Sequence, residues 1–264
     1  SPLLQAKLSA ANVHLEGLQI LEDYGVEAAG TVQIPVAYVS GPLDALTGEL
    51  QVTADELQLG GEHLQEVRAE AALNGNTVRL HQVQARAASG TLSAAGTYKR
   101  DSRAIDAELH LAGTDIPGLL DLADPVARAA TQKTQTYQQQ RQLVRQLNSL
   151  SLRLGGRLDA DVVVTGDLQS PAAQASLSIA EPTFDQVPLP EITAAADVTE
   201  KGVHEITLEA ARDDALITAQ GDLTFGERVD VLVEASGVDL QEYRPLVGMD
   251  MAMEGRMDLT VMAS

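Results

Sequence analysis

Residues 89–120 read SGTLSAAGTYKRDSRAIDAELHLAGTDIPGLL, and residues 214–243 read DALITAQGDLTFGERVDVLVEASGVDLQEY. Gly96 answers to Gly221, Ile105-Asp106 to Val229-Asp230, and Gly113-Thr114-Asp115-Ile116 to Gly237-Val238-Asp239-Leu240. Spacing, small residues and polarity return while few side chains do. Within both copies the apolar residues alternate. Ile105, Ala107, Leu109 and Leu111 share one parity against Asp106, Glu108 and His110, and Val229, Val231, Val233 and Ala235 oppose Asp230 and Glu234. Period-two alternation is the mark of a strand with one apolar and one wetted face. The repetition therefore preserves a pleated surface rather than a site.

The same pattern extends outward. In RLDADVVVTG, Leu158, Ala160, Val162 and Val164 oppose Asp159, Asp161 and Thr165; in EITAAADV, Ile192, Ala194, Ala196 and Val198 oppose Glu191, Thr193 and Asp197. Gly- and Asn-rich pairs interrupt the runs, as in LNGNTV (73–78) and TEKGVH (199–204), where hairpin turns require residues tolerant of positive φ. The expected fold is mainly β, an elongated antiparallel meander of about two repeats. The expected divisions are the end of a preceding repeat with its link (1–24), a first β repeat (25–113), a crossover link (114–154), a second β repeat (155–237), and a link with the start of a third repeat (238–264). Because both ends fall inside a repeat, the chain reads as a piece of something longer.

Composition narrows the function. The 264 residues carry 38 acids against 18 bases, a formal net charge of −20. Nucleic-acid binding needs a basic face and is not expected. Cysteine is absent, which removes disulfides and thiolate metal sites and suits an oxidising compartment. There is no Trp, with two Phe and five Tyr, yet 44% of residues are apolar. Aromatics normally supply much of the volume of a closed core. Here Ala, Val, Leu and Ile make an apolar face suited to staying open.

The links differ from the strands. DPVARAATQKTQTYQQQRQLVRQLNSL predicts a helix over about 124–147, with Asp124 as N-cap and Pro125 in the first turn. Val126, Ala130, Tyr137, Val144 and Leu147 trace a thin apolar stripe. Between Pro125 and Arg157 there are six bases and no acid. Arg128, Lys133, Arg141 and Arg145 are therefore candidates for contact with anionic head groups, in a helix placed as a mobile lid, while a solvated helix against the acidic body is the bland alternative.

Catalytic signatures do not assemble. The five histidines, His14, His63, His81, His110 and His204, are scattered; the paired acids Asp159/Asp161 and Asp213/Asp214 lie in no calcium-loop pattern; and the serines lie in no nucleophile elbow. No enzyme, metal or cofactor is expected.

One further pattern has a counterpart elsewhere. G-x-L-x-x-x-x-x-V-x-G-x-L-x-x-P, carried here by Gly156, Leu158, Val164, Gly166, Leu168 and Pro171, is followed by alternating strands and closed by Gly237, Asp239 and Leu240. It resembles the repeats of the AsmA-like superfamily, specifically its TamB-type members. The first copy departs from the pattern, since Pro42 follows Gly41 directly. The resemblance implies a taco-shaped sheet with a greasy inside, in a parent anchored in the inner membrane and crossing the periplasm toward an outer-membrane barrel partner of the Omp-assembly type. It also implies phospholipid acyl chains as cargo and flanking repeats of the same chain as neighbours. The expected lipid-groove residues are Leu50, Val52, Val67, Leu73, Val78, Leu92, Ile105, Leu109, Leu111, Leu158, Val162, Val164, Leu177, Ile179, Ile192, Val198, Ile206, Leu208, Ile217, Leu223, Val229, Val231 and Val233. A scaffold or chaperone for outer-membrane proteins and a purely structural β-repeat stalk are the alternative functions.

Overall fold

The computed structural model describes residues 3–16, 28–42, 45–59, 62–87, 90–116, 154–225, 228–239, 241 and 255–263. They form one open antiparallel sheet of 15 strands. The strands are β1 (Leu3–His14), β2 (Ala28–Pro42), β3 (Thr47–Leu59), β4 (Glu62–Asn74), β5 (Thr77–Ala87), β6 (Gly90–Lys99), β7 (Ala104–Asp115), β8 (Leu154–Asp167), β9 (Ser170–Phe184), β10 (Val187–Pro188), β11 (Glu191–Thr199), β12 (Gly202–Arg212), β13 (Ala215–Thr224), β14 (Arg228–Asp239) and β15 (Arg256–Ala263). Each pairs with its sequence neighbour, except that β9 pairs with both β11 and the short β10, which lies off the main path. The meander expected from the alternation is thus present. The predicted helix at about 124–147 and its four bases lie outside the described residues.

Register turns the alternation into a surface. One row of directly paired residues runs Leu8, Ala37, Leu50, Ala71, Leu80, Gly96, Ala107, Val164, Ala173, Val198, Val203, Leu223, Val229, crossing every strand of the main path from β1 to β14. Cross-strand partners project from the same face, so an apolar parity in each strand becomes an apolar face of the whole sheet. No described side chain is fully buried, and the hydrophobic core reduces to Val32, Ala54, Ala85, Leu111, Leu158, Ala210 and Val238. A sheet normally hides such a face against a second layer. Among the described residues there is none.

Positive-φ residues recur along one margin of this sheet, with a smaller set (Gly41, Gly75, Arg103, Gly166 and Glu205) at the other. Asn12, Gly30, Glu66, Gly90, Gly113, Gly156, Glu181, Gly237 and Gly255 all have φ above zero and all lie where odd strands end or even strands begin, or the equivalent after β8. The ladder shifts register beside several of them, between Ala10/Val13, Gln65/Arg68, Leu111/Thr114, Gly155/Arg157 and Ala235/Val238. Bulges of this kind bend and twist a strand locally.

Two expectations about the links need correcting. Thr114, Asp115 and Leu154, assigned to the first link, are in β7 and β8, and Val238 and Asp239, assigned to the second, are in β14. The glycines Gly113 and Gly237 bulge the strand instead of ending it, so pairing resumes beyond them. Nor is the first link a crossover. Strands β7 and β8 are antiparallel neighbours with Asp115 opposite Arg157, so the chain leaves and re-enters at the same margin. The second link has the same topology, with Asp239 opposite Arg256. An even number of strands per repeat, β2–β7 and then β8, β9 and β11–β14, makes this so.

Candidate functional site: an apolar sheet face

Four further rows complete the face. Val52, Ala69, Val83, Ala94, Leu109, Val162, Ala175 and Ala196 form one; Ala85, Leu92, Leu111, Ala160, Leu177, Ala194, Leu208, Ala219, Val233 and Val261 form the next. Toward the bulged margin run Thr114, Leu158, Ile179, Ile192, Ala210, Ile217, Ala235 and Leu259. Toward the other run Leu73, Val78, Tyr98, Ile105, Gly166 and Pro171. Val67 joins through Ala54, and Ile206 and Val231 through Gly221. Every residue named from the sequence as a candidate groove residue is on this face. No charged side chain occurs in these rows. Sequence reading did not single out Leu80, Ala54, Ala85, Thr114 or Val238. The first three follow from alternation alone, while the last two are hidden by the glycine bulges that precede them.

The two margins of the face are unlike. At the bulged margin Leu111 and Leu158 are 7% exposed, Val238 5% and Thr114 only 2%. At the opposite margin Val78 and Val198 are 36% exposed and Val229 44%. The face is therefore least accessible along the margin where the glycine bulges lie and most open along the other. Thr114 lies so close to Gly90 that any β-carbon there would strike its backbone and hydroxyl.

A recurring contact holds the bulged margin where repeats join. The Gly113 amide donates to Asp159 Oδ1 at 2.7 Å, and the Gly237 amide donates to Asp258 Oδ1 at 2.9 Å. A bulge leaves one N–H outside the ladder, and an unpaired N–H is costly unless a local acceptor takes it. The G-x-D that closes a repeat and the G-R-x-D that opens the next (Gly156–Asp159, Gly255–Asp258) are thus the two halves of one joint. At the joint of β1 and β2 the roles differ: Gly30 donates to Glu16 Oε1 at 2.9 Å. Amides of Glu16 itself and of Gly30 hold that carboxyl below the usual carboxylate range.

The opposite face is polar. His110 Nδ1 lies 2.7 Å from Asp161 Oδ1, and His204 lies 3.5 Å from Asp222, all on strand positions open to solvent. Wide depressions on this side mix polar and apolar lining: Asp161, Asp197 and Asp222 with Val163, Ala195 and Ile206 in one, and His81, Glu108 and His110 with Ala95 and Val163 in another. No three metal-ligating side chains converge among the described residues. No helix among the described residues is long and apolar enough to cross a membrane.

No protein-family model matches the chain, and comparison with curated proteins and with solved structures gives no match either. The likeness to the AsmA-like superfamily rests on the repeat motif.

Proposed function

We propose that this chain is a segment of a TamB-type, periplasm-spanning protein whose apolar face forms a groove that conducts phospholipids between inner and outer membranes. The observation that carries the reading is the charge-free apolar face, continuous over the main path of the sheet and without a second layer among the described residues. An exposed apolar patch of this size needs an occupant. Acyl chains suit it because Ala, Val and Leu walls offer contact area without stereospecific pockets. Exposing a 16-carbon chain to water costs on the order of 12 kcal/mol at about 0.8 kcal/mol per methylene. A continuous track lowers that barrier for a moving lipid, and separated pockets do not. A scaffold for outer-membrane β-proteins is the second reading, favoured by the end strands β1 and β15, which among the described residues pair on one side only.

The test is co-purification followed by a parity scan. Native mass spectrometry of the purified chain should show bound phospholipid. Aspartate at Val162, Ile192 or Val231, on the apolar face, should abolish it, because a charge in apolar surroundings is poorly solvated. Aspartate at Val163, Thr193 or Leu232, on the polar face, should leave occupancy unchanged. Equal loss from both sets with the fold retained overturns the proposal.

A further inference from the structure

We infer that the two margins of the apolar face orient the lipid, with acyl-chain ends held at the bulged margin and phosphate head groups at the opposite one. This rests on the lipid reading above and assigns the ends of that same site. The first support is exposure: Thr114, Leu158 and Val238 along the bulged margin are nearly inaccessible, Leu259 on the edge strand being the exception, whereas Val78, Val198 and Val229 across the face are open. The second is charge, which is independent of burial. Hairpin tips at the open margin are tied into a row by backbone hydrogen bonds, Gly75 to Leu46, Arg100 to Asn76, Leu168 to Arg103 and Phe225 to Lys201. These tips carry Arg100, Arg103 and Lys201, all exposed and with no ion pair among the described residues.

At the bulged margin the balance reverses. The turns there carry Asp185, Asp213 and Asp214, and the arginines beside them are already engaged, Arg212 with Asp213 at 3.8 Å and Arg256 with Asp214 at 3.0 Å. Asp101, Asp167 and Glu200 share these tips, but Arg100, Arg103 and Lys201 stay outside any ion pair there, so in a chain of net charge −20 this rim is the better place for a phosphate. Tyr98 stands on the apolar face beside the same tips, paired with Val78 and Ile105. An aromatic ring with a polar end fits such an apolar–aqueous boundary.

The absence of tryptophan makes the test clean. Two variants of the full chain, Ile179→Trp near the bulged margin and Val198→Trp at the open margin, are loaded with phosphatidylethanolamine brominated either near the chain ends or near the glycerol. Chain-end bromines should quench Ile179→Trp more than Val198→Trp, and bromines near the glycerol should give the reverse order. A triple Arg100→Glu, Arg103→Glu, Lys201→Glu variant should lose lipid occupancy, with the loss smaller in high salt. Excess inorganic phosphate should not displace the lipid, which separates a head-group site from a free-anion site. Lipid that binds but quenches both reporters alike, or an undiminished triple variant, overturns the orientation while leaving the lipid reading standing. A chain that binds no phospholipid overturns both.

Discussion

At the scale of residues, the joint between repeats is explained by two conformational facts. Asn12, Gly113 and Gly237 occupy the same place in successive repeats, with φ of 56°, 61° and 65°. L side chains other than Asn and Asp resist this region, and glycine does not. Their surroundings differ. A β-carbon at Gly113 meets nothing, whereas one at Gly237 would strike the backbone carbonyl of Asp214. Gly113→Ala should therefore cost about 1 kcal/mol of left-handed strain. Gly237→Ala should cost clearly more, and Gly113→Asn less than Gly113→Ala, as Asn12 already shows. Urea unfolding of the three variants checks the order; equal midpoints for the two alanine variants would count against it. The capping carboxylates give a second expectation. In Asp159→Ala and Asp258→Ala the amides of Gly113 and Gly237 lose their acceptors, so hydrogen exchange at each should quicken while mid-strand amides such as Val162 stay protected. Unchanged exchange at the two glycines would show that the carboxylates are incidental.

At the scale of elements, strand identity was legible because period two is written into each run, as in Ile105–Leu111 and Leu158–Val164. Strand ends were not. Gly113 and Gly237 look like stops in the sequence, and register alone shows that pairing resumes at Thr114 opposite Leu158 and at Val238 opposite Met257. The same register removes the need for the link to cross the face. Residues 117–153 join two neighbouring strand ends, and closing a shorter loop between them costs little. Replacing 117–153 with a short Gly/Ser linker should leave the sheet folded, measured as unchanged far-ultraviolet circular dichroism and unfolding midpoint. If the sheet is lost, the segment is a structural strut.

At the scale of the molecule, an open sheet has two edges. Among the described residues, strand β1 pairs only with β2, and β15 only with β14. Leu3 at 82% and Met262 at 80%, on these two strands, are the most exposed of the described large apolar side chains. An unprotected edge recruits another strand. This chain by itself should therefore associate edge to edge as concentration rises, seen as growing mass in light scattering. Lysine at Leu3 and Met262 should suppress it. A strictly monomeric species at high concentration would overturn this.

The sequence by itself determined which positions are apolar, their alternation and their recurrence, because each is a local property of a strand and its turns. Net charge and the absence of tryptophan and cysteine belong to the same level. Tertiary structure decided what no single run encodes: that the apolar parities of successive strands fall in register and build one face. It also decided that the bulging glycines Gly113 and Gly237 recur at one margin, and that bases outside any described ion pair, Arg100, Arg103 and Lys201, stand at the other. Those properties arise from pairing between residues far apart in the chain, and pairing is fixed by the whole ladder rather than by any strand within it.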